Sequence, residues 1–436
     1  MKLTSNRPAR VAVITLAIGL TASLAGVHLA PEQLPKDRSR NVAAAPGAID
    51  ALLLGSASSM NYLPLQAART KRPPKGTIHV KDRFIKHYRA KRATWNDVIG
   101  SGKRLNKVSA QCARRWRKSG KDRRLNWKSV DYLCMSGLKG RGYRPQGVAG
   151  SATARRYKIG SKPAADRNIV LTSWYSRARE PGLFAPNRAG QSVTRLVVMD
   201  MAKRRYNRVE LVRPTGRNKF RNMDSHGSGL VWAGQYIYMS SKSVLFMFNA
   251  DDILKIRGRY VLPAVARWTV HGHGGLSSIS IDRSASRNQL RAINYTKNGP
   301  TYIQTFKLAK SGLLAKSSAH GSHDMAIRNR WGQRGRVVRN ISTLTIPGAS
   351  YQGVGSAGRY SFANSSALKA RGGKKKVDST AVFKDGRKIA KFRMPRRNIE
   401  SIYIDYKRGT FASITEGGSQ FLFSMPIRRI TKKAER

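Results

Sequence analysis

The feature that most constrains this chain is a long succession of short strand-like runs after Gly142. Apolar or alternating runs such as "RNIVLTSWYS" (167–176), "TRLVVMDM" (194–201) and "YNRVELVRP" (206–214) are separated by turns rich in Gly, Asn, Ser and Arg. Helical periodicity is weak in this part, as in "DDILKI" (251–256). Many short strands at close spacing predict an all-β domain built as a sandwich, a barrel or a propeller.

A recurring unit favours the propeller. Four dipeptides are predicted to begin strands: Gly147-Val148, Gly229-Leu230, Gly275-Leu276 and Gly353-Val354. Two of them share a Gln-Gly-Val core, in "PQGVAGSA" (145–152) and "YQGVGSAG" (351–358), and a last unit starts near "IESIYIDYKRG". Weak self-similarity of this period is typical of propeller blades, and about 290 residues predict five to seven blades of ~40–55 residues each.

The chain before the strands divides by composition. We expect a signal peptide or membrane anchor at 1–30, a flexible linker at 31–76, a small N-terminal helical region at 77–141 and the β-propeller at 142–428. The helical region is predicted from the spacing of Val108, Cys112 and Trp116 and from a Thr that can cap "TWNDVIGSGKRL".

The N-terminus has the pattern of an export signal. Arg7 and Arg10 precede "VAVITLAIGLTASLAGVHLA" (11–30), which has no charged residue, and small-residue cleavage sites follow. The apolar run is also long enough to span a bilayer as an uncleaved anchor. A buried core helix does not explain the arginines. We therefore expect a secreted or cell-surface protein that meets a membrane only through this segment.

Cys112 and Cys134 are the only cysteines. In an exported chain an even pair predicts a disulfide, here one that ties two short helices together. Closing this loop stabilises a fold by ~3 kcal/mol in the chain-entropy estimate. Two inert buried thiols are the alternative. Metal binding by these cysteines is disfavoured because neither has a neighbouring Cys or His at ligand spacing.

The charge balance bears on partners rather than on fold. The 84 Lys and Arg residues outweigh 22 Asp and Glu residues, which gives a formal net charge of +62. Such a surface attracts anionic cell-envelope or extracellular polymers without selectivity. The basic residues are spread evenly, so we expect no specific nucleic-acid site, which requires a focused patch. Deliberate recharging of a surface would give the same spread.

The histidines are the main candidates for chemistry. They lie in "DSHGSG", "VHGHGGLSS" and "AHGSHDM", and five of the chain's eight fall in these contexts: His226, His271, His273, His320 and His323. In a propeller the innermost strands line a central channel and the loops before them form one rim. We therefore predict that several of these imidazoles meet at the channel.

Three uses of these imidazoles stay open. His226, His271 and His273, together with Asp224, Asp324 or Glu416, have the donor types that bind a divalent metal, the one cofactor considered. They also have the chemistry of a general acid and base. The third use is structural, in which each imidazole donates a hydrogen bond between blades.

A second group of candidates lies in "SWYSRAREPGLF" (173–184). Trp174, Tyr175, Arg177 and Arg179 combine aromatic rings with guanidinium groups, which hold sugars or anions at a rim by stacking and bidentate hydrogen bonds. Ordinary packing of the two aromatics between blades is the alternative. No Gly-x-Ser-x-Gly sequence occurs, which disfavours an α/β-hydrolase.

The motifs "RPQGVAGSA", "VLTSWYSRAREPGLFAP" and "SHGSGLVWAGQYIYMSS" resemble a group of secreted actinobacterial β-propeller-like proteins without an assigned activity. The resemblance covers roughly residues 142–428. It implies export and a propeller, and it implies no catalytic residue.

These observations predict an exported β-propeller that binds a ligand at its rim or channel while its basic surface holds it near anionic polymers. A metal-assisted hydrolase or lyase with the histidines at the channel mouth is the alternative. A non-specific nucleic-acid binder is the second alternative.

Overall fold

The computed structural model describes part of the chain, and everything below concerns these residues: 79–106, 108–135, 138, 142–176, 183–184, 193–215, 218–270, 275–284, 288–296, 300–315, 325–326, 337–338, 340–347, 350–366, 378–395, 398–417 and 420–436. The expected signal (1–30) and linker (31–76) lie outside this part. Within it the protein is mostly β with few helices, so the all-β prediction is confirmed at that level.

The helices are short and lie near the two ends of the described chain. They are α1 (Asp82–His87), α2 (Trp95–Gly100), α3 (Ala110–Arg117) and α4 (Ile427–Ala434), and 3-10 turns occur at Trp127–Ser129, Ser151–Thr153 and Ala164–Asp166. Helix α2 begins after Thr94, whose hydroxyl accepts from the Asp97 N–H while the Asp97 carboxylate accepts from the Thr94 N–H. This capping box satisfies two backbone donors and confirms the predicted cap.

The strands account for most of the described chain. In chain order they are β1 (Lys91–Arg92), β2 (Lys103–Arg104), β3 (Asp131–Cys134), β4 (Tyr143–Gly150), β5 (Lys158–Ile159), β6 (Lys162–Pro163), β7 (Ile169–Ser176), β8 (Val193–Asp200), β9 (Arg205–Thr215), β10 (Lys219–Asn222), β11 (Gly229–Ala233), β12 (Tyr236–Ser241), β13 (Val244–Asn249), β14 (Leu254–Ile256), β15 (Arg259–Val270), β16 (Ser278–Asp282), β17 (Gln289–Ile293), β18 (Thr301–Lys307), β19 (Met325–Ala326), β20 (Val337–Val338), β21 (Asn340–Ile346), β22 (Tyr351–Ala357), β23 (Tyr360–Ser365), β24 (Ser379–Lys384), β25 (Arg387–Arg393), β26 (Ile399–Asp405), β27 (Thr410–Thr415) and β28 (Phe421–Pro426).

Twenty of these strands form antiparallel meanders of four strands each. The first to fifth meanders are β4-β7-β8-β9, β11-β12-β13-β15, β16-β17-β18-β21, β22-β23-β24-β25 and β26-β27-β28-β3. The hairpin predicted from 194–214 is confirmed by the pairing of β8 with β9. The first two meanders belong to one larger sheet, because the first half of β15 pairs in parallel with β9 and its second half pairs with β13.

The first strands of the five meanders contact one another in a closed cycle. Strand β4 contacts β11, β11 contacts β16, β16 contacts β22, β22 contacts β26, and β26 contacts β4. These strands are buried on both faces, as the all-buried pattern of β11, β16 and β26 shows. Because both faces are covered, the polar residues of these strands are buried as well, among them Ser278, Ser280 and Asp282 of β16.

Each pair of neighbouring meanders shares its own apolar core. In β11, Leu230 and Trp232 pack toward the first meander, whereas Val231 and Ala233 pack toward the third. Similar clusters lie between the third and fourth, the fourth and fifth, and the fifth and first meanders. Because successive residues of a strand point to opposite faces, one short strand serves two cores.

Close approach of the first strands depends on glycine. A Cβ on Gly229 would overlap the backbone nitrogen of Ile279 in β16, and one on Gly353 would overlap the carbonyl oxygen of Glu400 in β26. Glycine is the residue that allows backbones to approach this closely.

The segment before the meanders is less helical than predicted. The disulfide between Cys112 and Cys134 is confirmed, but Cys134 lies in β3, so the bridge ties a helix to a strand rather than two helices. Strand β3 pairs with β28 as the fourth strand of the last meander. Residues Pro73–Arg436 form one compact unit.

In the described part of the chain, no helix is both long enough and apolar enough to cross a membrane.

Candidate functional site

One polar residue from the start of each meander lines a common cavity. These residues are Gln146, Ser228, Ser277, Gln352 and Glu400, and the cavity has a volume of about 400 Å³. We call it the five-strand pocket. Each of the five stands one position before the small residue at which neighbouring first strands cross: Gly147, Gly229, Ser278, Gly353 and Ser401. The pocket therefore follows from a local pattern repeated five times along the chain.

β-Bulges explain why three of these side chains leave the pleat of their strands. The register of β4 with β7 shifts between Pro145 and Gly147, and the register of β22 with β23 shifts between Tyr351 and Gly353. The register of β26 with β27 shifts between Ile399 and Ile402. A bulge adds one residue to one strand and redirects its side chain. Gln146, Gln352 and Glu400 stand at these three shifts.

Glu400 is the most unusual of the lining residues. It is 1% exposed, and its Oε1 atom has no hydrogen-bond partner within the described residues. Its backbone carbonyl accepts from the Asn364 side chain at 2.6 Å, which fixes the main chain at this point. Burial raises the pKa of the Glu400 carboxyl well above its usual range, and the nearby carboxylates of Glu416 and Asp378 add to the effect. The fold thus favours the neutral form of this carboxyl group more than water does.

The carboxyl group of Glu416 lies near that of Glu400. Its Oε1 atom accepts from the Tyr175 hydroxyl at 2.8 Å and from Arg144 at 3.3 Å. Its Oε2 atom is 3.5 Å from Nδ2 of Asn398, whose backbone N–H donates to Asp378 at 3.0 Å. These contacts hold the Glu416 carboxyl group in place beside Glu400. The pocket therefore places a buried carboxyl group with a raised pKa next to a second carboxyl group that is held by hydrogen bonds.

His226 lies at the same pocket, opposite the end of β7. It lines the cavity, its ring centroid is 4.1 Å from that of Tyr175, and its backbone N–H donates to Ser241 at 3.2 Å. Tyr175 thus touches His226 with its ring and Glu416 with its hydroxyl. Asp224 is exposed and does not line the cavity.

The structure brings together some of the residues predicted from the sequence. His226, Tyr175 and Glu416 lie in or against the five-strand pocket. Trp174 is fully buried and its indole N–H donates to Thr172 at 2.7 Å, so it has the packing role that was the alternative to a rim position. The other predicted residues lie outside the described part of the chain: Arg177, Arg179, His271, His273, His320, His323 and Asp324.

No metal centre is formed by the residues that the structure describes. Among them, no three His, Cys, Asp or Glu side chains are grouped so that they could hold an ion. Of the three histidines predicted as metal ligands, His226 alone belongs to the described part.

None of the five residues that define the pocket is among the site residues predicted from the sequence: Gln146, Ser228, Ser277, Gln352 and Glu400. The Gln-Gly-Val repeat marks the positions of the two glutamines, but by itself it indicates repetition and not a shared cavity. In the third meander the predicted strand start at Gly275-Leu276 is three residues early, since β16 begins at Ser278. That offset hid the equivalence of Ser277 and Ser228.

A second cavity of about 570 Å³ lies between the α2 end and the β8, β9 and β15 strands. Its lining includes four cationic side chains and one carboxylate: Arg195, Arg208, Lys255, Arg259 and Glu210. Arg195 is 3.7 Å from Glu210 and stacks on the Tyr143 ring. One ion pair leaves an excess of positive charge in this concave surface.

The interpretation of this site rests on its geometry. No protein-family model matches the chain, and no curated protein is significantly similar to it.

Proposed function

We propose that the five meanders are the blades of a five-bladed β-propeller. The closed cycle of contacts among the first strands supports it, as does a separate apolar core between each pair of neighbours. Closure by a strand from the other end of the sequence, β3 on β28, also fits a ring. In such a ring the five-strand pocket lies on the axis, where propellers have their channel.

The function we propose is ligand binding at the five-strand pocket. The observation that carries it is the convergence of one polar side chain from every meander on a single cavity. Backbone crossings built on glycine and serine hold these side chains within the first strands or directly before them, so little order has to be gained on binding. Hydroxyl, amide and carboxyl groups around one cavity suit a small polar ligand that both donates and accepts hydrogen bonds.

The protein is proposed to be exported and to work near anionic polymers of the cell envelope or matrix. The disulfide suits an oxidising compartment. The net charge of +62 attracts polyanions, and the cavity that contains Arg208, Lys255 and Arg259 offers a concave surface where that attraction is focused.

A blocking variant tests pocket binding. Ser228→Phe fills the pocket from its lining, and Ser161→Phe places the same ring on the exposed turn between β5 and β6 as the matched control. Wild type and both variants are screened by thermal shift and ligand-observed NMR against sugars, polyols, amines, amino acids and small carboxylic acids.

We expect at least one compound to bind wild type and Ser161→Phe but not Ser228→Phe. Equal binding to all three proteins would contradict a role of this pocket, and so would a panel in which no compound binds. A melting temperature of Ser228→Phe close to wild type shows that its fold is retained.

A further inference from the structure

We propose that the five-strand pocket receives its ligand through a primary ammonium group, which is held by Glu400. This inference rests on the proposed function, because it assigns the chemistry of the ligand bound at the same pocket.

The first support is geometric. Two acceptor atoms at this pocket, Oε1 of Glu400 and Oε1 of Gln352, are buried and have no hydrogen-bond partner within the described residues. Leaving a buried acceptor unpaired costs free energy, and the cost is larger for a carboxylate. A ligand that brings donors to these atoms removes the cost. An ammonium group carries three donors and no acceptor.

The second support is electrostatic. Glu400 lies close to two further carboxyl groups, those of Glu416 and Asp378, and the counter-charge on this side is Arg144, whose contact is with Glu416. The field that disfavours a third negative charge at Glu400 favours a positive charge beside it. A bound cation therefore lets Glu400 ionise and form a charge-assisted hydrogen bond.

The lysine that lines the pocket, Lys242, lies nearer the solvent than Glu400 does. Lys242 lines the pocket from the exposed turn between β12 and β13, where water screens its charge. His226 is partly buried against Tyr175, and Tyr295 adds an aromatic ring to the lining. Aromatic faces attract an ammonium group more than they attract a neutral hydroxyl.

Because the protein surface is strongly basic, a preference for amines over neutral analogues would report on the pocket itself. A protein with a net charge of +62 repels small cations as a whole. Selective binding of an amine over its neutral analogue therefore requires a local negative site, and cannot arise from the general field.

The number of protons released on binding is a second measurement that tests the ammonium assignment. The pKa of the Glu400 carboxyl is raised in the free pocket and falls beside a bound ammonium group, so binding releases protons at any pH where free Glu400 is still protonated. Affinity then rises with pH by up to about tenfold per unit while free Glu400 stays protonated. A neutral polyol would release no proton.

The experiment compares cadaverine with pentane-1,5-diol, which has the same length and no charge. Binding is measured by calorimetry at about pH 5.5 and about pH 7.5, where an alkyl ammonium group stays charged, and in buffers of different ionisation enthalpy. The proteins are wild type, Glu400→Gln and the control Glu435→Gln. Glu435 is an exposed residue that directly follows α4, and its carboxylate accepts hydrogen bonds from Lys384 and Tyr360.

We expect cadaverine and not the diol to bind wild type, with proton release and tighter binding at the higher pH. Glu400→Gln should weaken binding by about tenfold or more, and Glu435→Gln should leave it unchanged. Equal binding of the diol, no binding of the diamine, or equal losses in the two variants would overturn the inference. If a neutral compound binds and Ser228→Phe abolishes its binding, pocket function stands and the ammonium assignment alone falls.

Discussion

Glu400 occupies the position that Gln146 and Gln352 occupy in two other meanders, yet it carries an ionisable group. The exchange of an amide for a carboxyl changes little in shape, but it places an acid where water is excluded and other carboxylates are near. The sequence shows this position only when "IESI" is aligned with the two "QGV" cores, because the fifth unit has serine instead of glycine. The raised pKa depends on distant residues and is not visible in local sequence.

This position predicts a pH dependence of stability. The folded-state pKa of Glu400 lies above the unfolded value, so its contribution is fully present below the unfolded pKa and is lost as pH rises through the folded pKa. Glu400→Gln should therefore be more stable than wild type at about pH 7, and the difference should vanish near pH 4. Urea unfolding across pH measures it.

Glu435→Gln is the control with the opposite sign. Hydrogen bonds from Lys384 and Tyr360 lower the pKa of the Glu435 carboxyl. Its contribution is present above the unfolded pKa and is lost as pH falls, so this variant should not gain stability at neutral pH. Parallel pH curves for the two variants would contradict the account of Glu400.

At the scale of elements, local patterns predicted the strands well and their partners poorly. The hairpin β8–β9 follows from two runs and a tight turn, whereas "DYLC" was assigned to a helical region because its partner, β28, lies at the other end of the chain. A four-residue strand carries little signal of its own. Its pairing is set by the edge that the last meander leaves open.

The disulfide is expected to secure this closing strand. Replacing both cysteines, Cys112→Ala with Cys134→Ala, should lower the free energy of unfolding by about 3 kcal/mol. Amide hydrogens of β28 that pair with β3 should also exchange faster, which hydrogen-exchange mass spectrometry detects. Reductant should reproduce the loss in wild type and have no effect on the double variant. Unchanged exchange in β28 would show that β3 needs no bridge.

The close crossing of the first strands predicts that a methyl group added at the crossing point destabilises the fold. Gly229→Ala should lower the free energy of unfolding by about 1–3 kcal/mol, because the new methyl group meets the β16 backbone. The matched change Gly100→Ala, at the end of α2, adds a methyl group to open space and should not destabilise. Denaturant midpoints measure both. Equal effects would mean that the strands do not cross as closely as described.

At the scale of the whole molecule, the net positive charge predicts that polyanions bind without specificity. Affinities for DNA, heparin and polyphosphate should be similar to one another and should fall steeply as salt is raised. Salt titrations of the three polymers test it. A strong preference for one DNA sequence would point instead to a specific nucleic-acid site.

The ring itself is the claim on which the pocket depends, and a crystal structure tests it most directly. A five-bladed propeller would show five four-stranded sheets around one axis, with β3 closing the ring on β28 and five side chains facing the same cavity: Gln146, Ser228, Ser277, Gln352 and Glu400. Sheets stacked face to face, or these five side chains dispersed over separate surfaces, would contradict it.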